Sequence, residues 1–288
     1  MRLAKSNLLL VAILLGCTSE KSDQSNREVD ESESGEKEIA EFNESIEDEP
    51  SVEVVSDFEN AEIIFEKRYE NISGSLANGD NIDQAIRFYE RSARTPETIS
   101  ALLRAYEFKG AFTDISEADR KATYEKAIEI GEKELVKYPD HVALRYYYVS
   151  NLARWGQVIG VIQASKNGLV NRIKTQSEEI LILDPLFAEA GAQRILGAMH
   201  LKVPKIPFIL KWPSKERALE LLEQAYNSFP ANPGNTMLYA EALLEDKQDD
   251  EAKKLLEELM SREPRKDRFL EDMSSLAKAK EIYDKEFR

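Results

Sequence analysis

Cysteine, histidine and tryptophan are scarce: 288 residues hold one Cys, two His and two Trp. With Cys17 alone, the chain has no internal disulfide to make. His141 and His200 are 59 residues apart, and neither sits in a His-Glu-x-x-His pair. No phosphate-cradling glycine loop and no serine elbow appears either, so the sequence predicts no enzyme, no metal site and no cofactor. Positive charge is outnumbered, 39 Lys and Arg against 54 Asp and Glu. No stripe of Lys and Arg marks the chain, which excludes nucleic acid as an expected partner. Long apolar runs are also missing: residues 8–15 form an unbroken run of eight, too short for a permanent membrane span.

That short run follows Arg2 and Lys5 and leads into Leu14-Leu15-Gly16-Cys17. The pattern reads as a cleaved secretory signal. The tetrapeptide resembles the bacterial lipobox, in which the cysteine is lipidated and becomes the first residue of the mature protein. Residues 1–17 are therefore expected to be a lipoprotein signal with Cys17 as the anchor, facing the periplasm. Thr18 and Ser19 follow in place of aspartate, which favours the outer membrane by analogy with sorting in enteric bacteria. The formal charge of −15 is concentrated just beyond: residues 18–60 hold sixteen Asp and Glu against three Lys and Arg. So acidic a segment, nearly without aromatic residues, cannot bury enough apolar surface to offset its ordering entropy and is expected to be a disordered tether.

From residue 61 to 288 the composition supports an all-α domain. Ile63, Ile64, Phe65, Tyr69 and Ile72, then Ala85, Phe88 and Tyr89, stand at helical spacing and predict a first hairpin ending at Thr95-Pro96; Leu102, Leu103 and Tyr106 with Ala127, Ile130 and Leu135 predict a second. Ala127 to Pro139, Ile173 to Pro185, Ala218 to Pro230 and Ala252 to Pro264 are all intervals of 12. Ala218, Leu222, Ala225 and Pro230 recur 34 residues later as Ala252, Leu256, Leu259 and Pro264. This resembles the second helix and terminator of a tetratricopeptide repeat. Gln193-x-x-Leu196-Gly197-x-x-His200 stands where such a repeat has its first helix, with Gln in place of tryptophan and His in place of tyrosine. The predicted fold is a tetratricopeptide-like array of helical hairpins, able to close around a central cavity, and Phe269, Met273, Leu276, Ile282 and Tyr283 read as a C-terminal capping helix.

The register is interrupted twice, since Pro139 to Pro185 is 46 residues and Pro185 to Pro230 is 45. Insertions in repeat arrays collect on one face, often the functional one. The first interruption includes Asn151, Trp155, Gly156 and Gly160. Spacing of four puts Asn151 with Trp155, and Gly156 with Gly160, on one helix face, the glycines allowing close approach of another backbone. Two readings stand: a tight helix crossing with tryptophan as core, or a pocket wall.

The segment Asn151-Leu152-x-x-Trp155-Gly156-x-x-x-Gly160, with Arg172, Asp184-Pro185-x-Phe187, Arg194-x-Leu196-Gly197, Pro204, Lys215-x-x-Ala218 and Tyr239-Ala240-Glu241, resembles the T-component lipoproteins of TRAP transporters. The resemblance implies a lipid-anchored periplasmic protein whose hairpins surround a central cavity. It also implies a TRAP solute-binding protein as partner and an apolar or organic-acid ligand, with Asn151, Trp155, Gly156 and Gly160 on the cavity side. The sequence departs from that family at residues 203–213, where three prolines stiffen a loop carrying Ile206, Phe208, Ile209, Leu210 and Trp212. Such a loop needs cover, either from the chain's own helices or from a ligand, a partner or a second subunit of a homo-oligomer. The alternative function is a scaffold for protein–protein interaction in envelope assembly, with no small-molecule ligand.

Overall fold

A computed structural model describes residues 55–204 and 212–288. The signal, Cys17, most of the acidic segment, and Ile206, Phe208, Ile209 and Leu210 lie outside the described residues. Those described fall in one compact unit, residues 53–288.

Twelve α-helices are present among the described residues: α1 Asp57–Glu66, α2 Gly79–Arg91, α3 Pro96–Phe112, α4 Glu117–Leu135, α5 Val142–Ile159, α6 Val161–Lys166, α7 Leu169–Leu183, α8 Phe187–Lys202, α9 Lys215–Ser228, α10 Pro233–Glu245, α11 Asp249–Met260 and α12 Phe269–Phe287. Local chemistry explains many of the starts. Ser56 and Glu59 form a capping box, and Asp57 and Glu59 complement the amino-terminal dipole, so α1 begins four residues before the change in composition at residue 61. Pro96 does not end α2, which stops at Arg91; it opens α3 behind the Thr95 cap, where its fixed φ and missing N–H cost nothing. Asn232 and Pro233 begin α10 in the same way.

Helices α1/α2, α3/α4, α5/α7, α8/α9 and α10/α11 form five successive antiparallel hairpins, and α12 packs on α10 and α11 as a cap. The first helix of each hairpin packs on the second helix of the one before, as in α2 with α3, α4 with α5 and α7 with α8. The repeating small residues make this packing close: Ala85, Ala127, Ala218 and Ala252 are completely buried. Gly197 of α8 shows why such positions stay small, because a Cβ there would fall 2.5 Å from Leu222 Cγ of α9. All-α architecture in tetratricopeptide-like hairpins is therefore the observed fold.

Both long periods are explained at the same place in consecutive hairpins. Between α5 and α7 the chain inserts α6; between α8 and α9 it inserts residues 203–214. Trp212 returns from the second insertion onto the first hairpin that carries one, donating from Nε1 to Asn171 Oδ1 of α7 at 2.9 Å.

Candidate functional site

Successive first helices pack on one another, α3 on α5 and α5 on α8, and form an inner face that Arg68 and Tyr69, just after α1, extend to the start of α12. Its anchor is Asn151, fully buried on α5, whose Nδ2 donates to Leu103 O of α3 at 3.0 Å and to Tyr147 O at 2.8 Å. This bond pins α5 to α3. It also fixes the stripe Tyr147, Asn151, Arg154, which occupies one helix face by its spacing of four and three.

Charges of opposite sign pair across that face. Arg104 Nη2 of α3 lies 2.9 Å from Glu62 Oε1 of α1, and Arg154 Nε of α5 lies 2.7 Å from Glu107 Oε1 of α3. Tyr89 donates to Glu62 at 2.5 Å, and the Arg104 guanidinium stands 4.2 Å from the centre of the Phe65 ring. The ends of the array then meet directly. Arg68, buried just after α1, donates to Asp267 O at 2.7 Å, and the Tyr69 hydroxyl donates to Glu271 Oε2 of α12 at 2.6 Å. Arg268 lies between the termini and α5, with an ion pair to Glu271 at 3.8 Å.

Burial is the largest influence on Arg104, Arg154, Arg268 and Glu271. It opposes each charge; nearby Glu62 and tyrosines for Arg104, Glu107 for Arg154 and Glu271 for Arg268 more than offset it, holding these guanidinium pKa values above the ordinary range. For Glu271 burial prevails and the carboxyl pKa is raised. Yet the four side chains keep 26%, 36%, 32% and 27% of their surface accessible. All four are therefore neither fully buried nor free in solvent. The inner face they occupy is polar and aromatic.

A second network braces the start of α8. Ala188, Glu189 and Ala190 have φ of 52°, 54° and 61°, a left-handed turn that L-residues enter at a cost. Arg194 Nη1 donates to Glu189 O at 3.1 Å and Asn235 Nδ2 donates to the same carbonyl at 3.1 Å. The Glu189 carboxylate receives Arg265 Nη1 at 2.7 Å and Asn232 Nδ2 at 2.6 Å, while Arg194 Nη2 reaches the Tyr146 hydroxyl at 3.2 Å.

The four residues assigned to a cavity by resemblance are not brought together in one wall. Asn151 faces α3, whereas Trp155 is half-buried toward α4, its Nε1 donating to Glu125 Oε1 at 3.3 Å. Gly156 is a close crossing, where a Cβ would meet Leu169 Cδ2 at 3.2 Å. Gly160 lies beyond α5 with φ of 85° and open space around it; it turns the chain into α6. Trp212 packs its ring 5.1 Å from His200, whose Nδ1 accepts the Ser214 N–H at 3.1 Å. The inner-face residues Arg104, Glu107, Tyr147 and Arg154 carry a signal in sequence only after the register is known: they are polar or amphipathic positions on otherwise apolar first helices. Among the described residues, no group of three or more His, Cys, Asp and Glu is placed to hold a metal ion, and no helix is long and apolar enough to cross a membrane.

Comparison with known proteins gives the same architecture. The tetratricopeptide-repeat family matches residues 216–270, which span α9 to the start of α12. A thermophilic TPR protein from Thermus thermophilus is similar in structure with a TM-score of 0.50 at 15% identity, over 69% of this chain and 90% of that one. No curated protein matches this sequence.

Proposed function

We propose that this chain is a non-catalytic interaction module, held at a bacterial envelope membrane by a lipid on Cys17, whose helical-repeat domain engages a protein partner. Tetratricopeptide-like architecture supports the general form of the reading, because stacked hairpins expose extended surfaces suited to gripping other chains. The observation that carries it is the lining of the inner face. Glu62, Arg104, Glu107 and Arg154 are paired charges that offer hydrogen bonds to a polar segment, and they make neither a nucleophile–base pair nor an apolar tunnel.

The finer form of the proposal names the partner as the solute-binding protein of a TRAP system, on the resemblance carried by residues 151–160 and the positions downstream. A polar lining suits an organic acid better than the apolar ligand that the same resemblance allows. Full-length protein is expected to retain a solute-binding protein encoded beside it through affinity purification, and Cys17→Ser is expected to move the chain from the membrane pellet to the soluble fraction. A neighbourhood without TRAP components, together with no captured solute-binding protein, would remove the finer form. The general scaffold would then be tested by cross-linking at the inner face in intact envelopes. Unchanged membrane association of Cys17→Ser would remove the lipid anchor.

A further inference from the structure

Asparagine followed by glycine occurs twice in the chain, as Asn78-Gly79 and Asn167-Gly168, and the fold treats the two pairs differently. The side-chain amide carbon of an asparagine is open to attack by the backbone nitrogen of the next residue, and glycine, with no Cβ, shields that nitrogen least. Both asparagines are exposed. Asn78 is the cap of α2: its Oδ1 accepts the Asp80 N–H at 3.0 Å, and its Nδ2 donates to Asp80 Oδ2 at 3.2 Å. Bringing Gly79 N onto Asn78 Cγ would remove that cap from a helix whose Ile82 and Ala85 are completely buried.

The side chain of Asn167 caps no helix. It stands at the end of α6, a helix of six residues, where its Oδ1 accepts from Gln163 Nε2 at 3.2 Å. Gly168 follows with φ of 73° and ψ of 1°, a left-handed turn that favours glycine, and a Cβ placed there would meet nothing within 4 Å. The residue that the turn requires is thus the one that leaves the backbone nitrogen unshielded. Reaction needs two bonds of 3.2 Å to open, the one from Gln163 and the one from Gly168 N–H to Ser165 O. Both belong to a helix too short to hold its last turn by its own hydrogen bonds.

We propose that Asn167 is a site of spontaneous deamidation, and that its cap protects Asn78 from the same reaction. Gly168 N forms a bond to Asn167 Cγ, the Cγ–Nδ2 bond breaks, and the Gly168 proton leaves with the amide nitrogen as ammonia. Water then opens the resulting succinimide. Cleavage at the side-chain carbonyl gives aspartate and cleavage at the Asn167 main-chain carbonyl gives isoaspartate, a proton from the water ending on the Gly168 nitrogen in both. Water is the only co-reactant. Either product places a carboxylate beside the start of α7, whose first turn holds no acidic residue and whose cap makes no side-chain bond, so the new charge complements the helix dipole. Isoaspartate also lengthens the main chain by a methylene at the α6–α7 turn. The site does not depend on which protein partner the module engages.

Peptide mass spectrometry of the full-length chain, aged in mild detergent at mildly alkaline pH with and without denaturant, tests the site. Exchange of the amide for an acid is read as a mass gain at each asparagine, and electron-transfer fragmentation separates isoaspartate from aspartate. In the folded chain Asn167 should react at least about fivefold faster than Asn78, the factor that the usual worth of a helix cap gives. In denaturant, where no cap exists, the two rates should come together. Isoaspartate should accumulate at position 167, because only the succinimide route makes it. Asn167→Gln should abolish product at that position and leave the rate at Asn78 unchanged. Equal rates at the two pairs in the folded chain, faster reaction at Asn78, aspartate without isoaspartate at position 167, or no reaction at Asn167 over a time in which the denatured chain converts fully would overturn the proposal.

Discussion

Tyr69 and Glu271 are 202 residues apart in sequence and joined by a hydrogen bond of 2.6 Å, which links the first hairpin of the array to its last helix. In an open repeat stack each unit touches only its neighbours, so the ends fray independently. Here Arg68 reinforces the link, with its guanidinium 4.4 Å and 4.2 Å from the Phe65 and Tyr69 ring centres and one nitrogen on Asp267 O. Tyr69→Phe should cost about 1–2 kcal/mol and Arg68→Ala about 2–4 kcal/mol, because the second also strips a buried donor from the Phe65 and Asp267 carbonyls. Hydrogen exchange is the discriminating measurement. Both variants should speed exchange in α1 and α12 together; loss of protection in α1 alone would show that the ends do not support each other.

Close helix crossings make a second prediction. A Cβ on Gly197 would fall 2.5 Å from Leu222 Cγ, and one on Gly110 would run into the Tyr124 ring. Gly197→Ala and Gly110→Ala should therefore each lose about 1–3 kcal/mol despite the higher helix propensity of alanine. Gly79, at the start of α2, has an ordinary φ, and a Cβ added there would meet nothing within 4 Å. Gly79→Ala should be neutral or gain up to about 1 kcal/mol. Thermal melts of the three variants separate packing from propensity.

What could be read from residues alone follows the range of each interaction. Ala127, Ala218 and Ala252 with their prolines disclose the hairpins because a close crossing demands a small residue within one helix pair. The interruptions are legible as lengths, 46 and 45 where 34 is regular, although the first is not legible as the extra helix α6. The inner face is different in kind. Arg104 and Arg154 pair with Glu62 and Glu107 across neighbouring hairpins, contacts that no single helix pair discloses, and Tyr69 reaches Glu271 only through the rotation accumulated over the whole array. The spacing of Asn151 and Trp155 places them close together around α5, but α5 has two neighbours there. Asn151 turns to α3 and Trp155 to α4, while Arg154, on the opposite side of Asn151 from Trp155 in helical register, pairs with Glu107.

Those two orientations predict different responses. Asn151→Ala removes the donor that ties α5 to Leu103 O, in a position with no access to water, and should cost about 1–3 kcal/mol. Because Asn151 also sets the stripe of Tyr147 and Arg154, the variant should disturb ligand or partner binding along with stability. Trp155→Ala gives up a half-buried ring and one bond of 3.3 Å, so its loss should fall below the roughly 3–5 kcal/mol of a fully buried aromatic. Binding should survive it. Denaturant titration paired with a binding assay on both variants checks the contrast; equal binding loss in the two would place Trp155 in the site.

His200 gives the fold a dependence on pH whose sign follows from its surroundings. Burial is the main cause that lowers its pKa, and Lys174 and Arg217 add to the effect, with Glu178 opposing it. The neutral ring has a structural task, since Nδ1 accepts the N–H of Ser214, the cap residue of α9. A protonated imidazole would present a donor there and lose that bond. The unfolded chain therefore binds the proton more readily than the folded one between the lowered pKa and the ordinary value of about 6.5, and stability falls as pH drops through that window. His200→Gln has no titrating ring and keeps an oxygen that can accept from Ser214. The drop in melting temperature from pH 7.5 to pH 5 should accordingly be smaller in His200→Gln than in the parent protein. Equal drops in the two would mean that protonation of His200 is not opposed by the fold, and that the cap of α9 does not depend on the neutral ring.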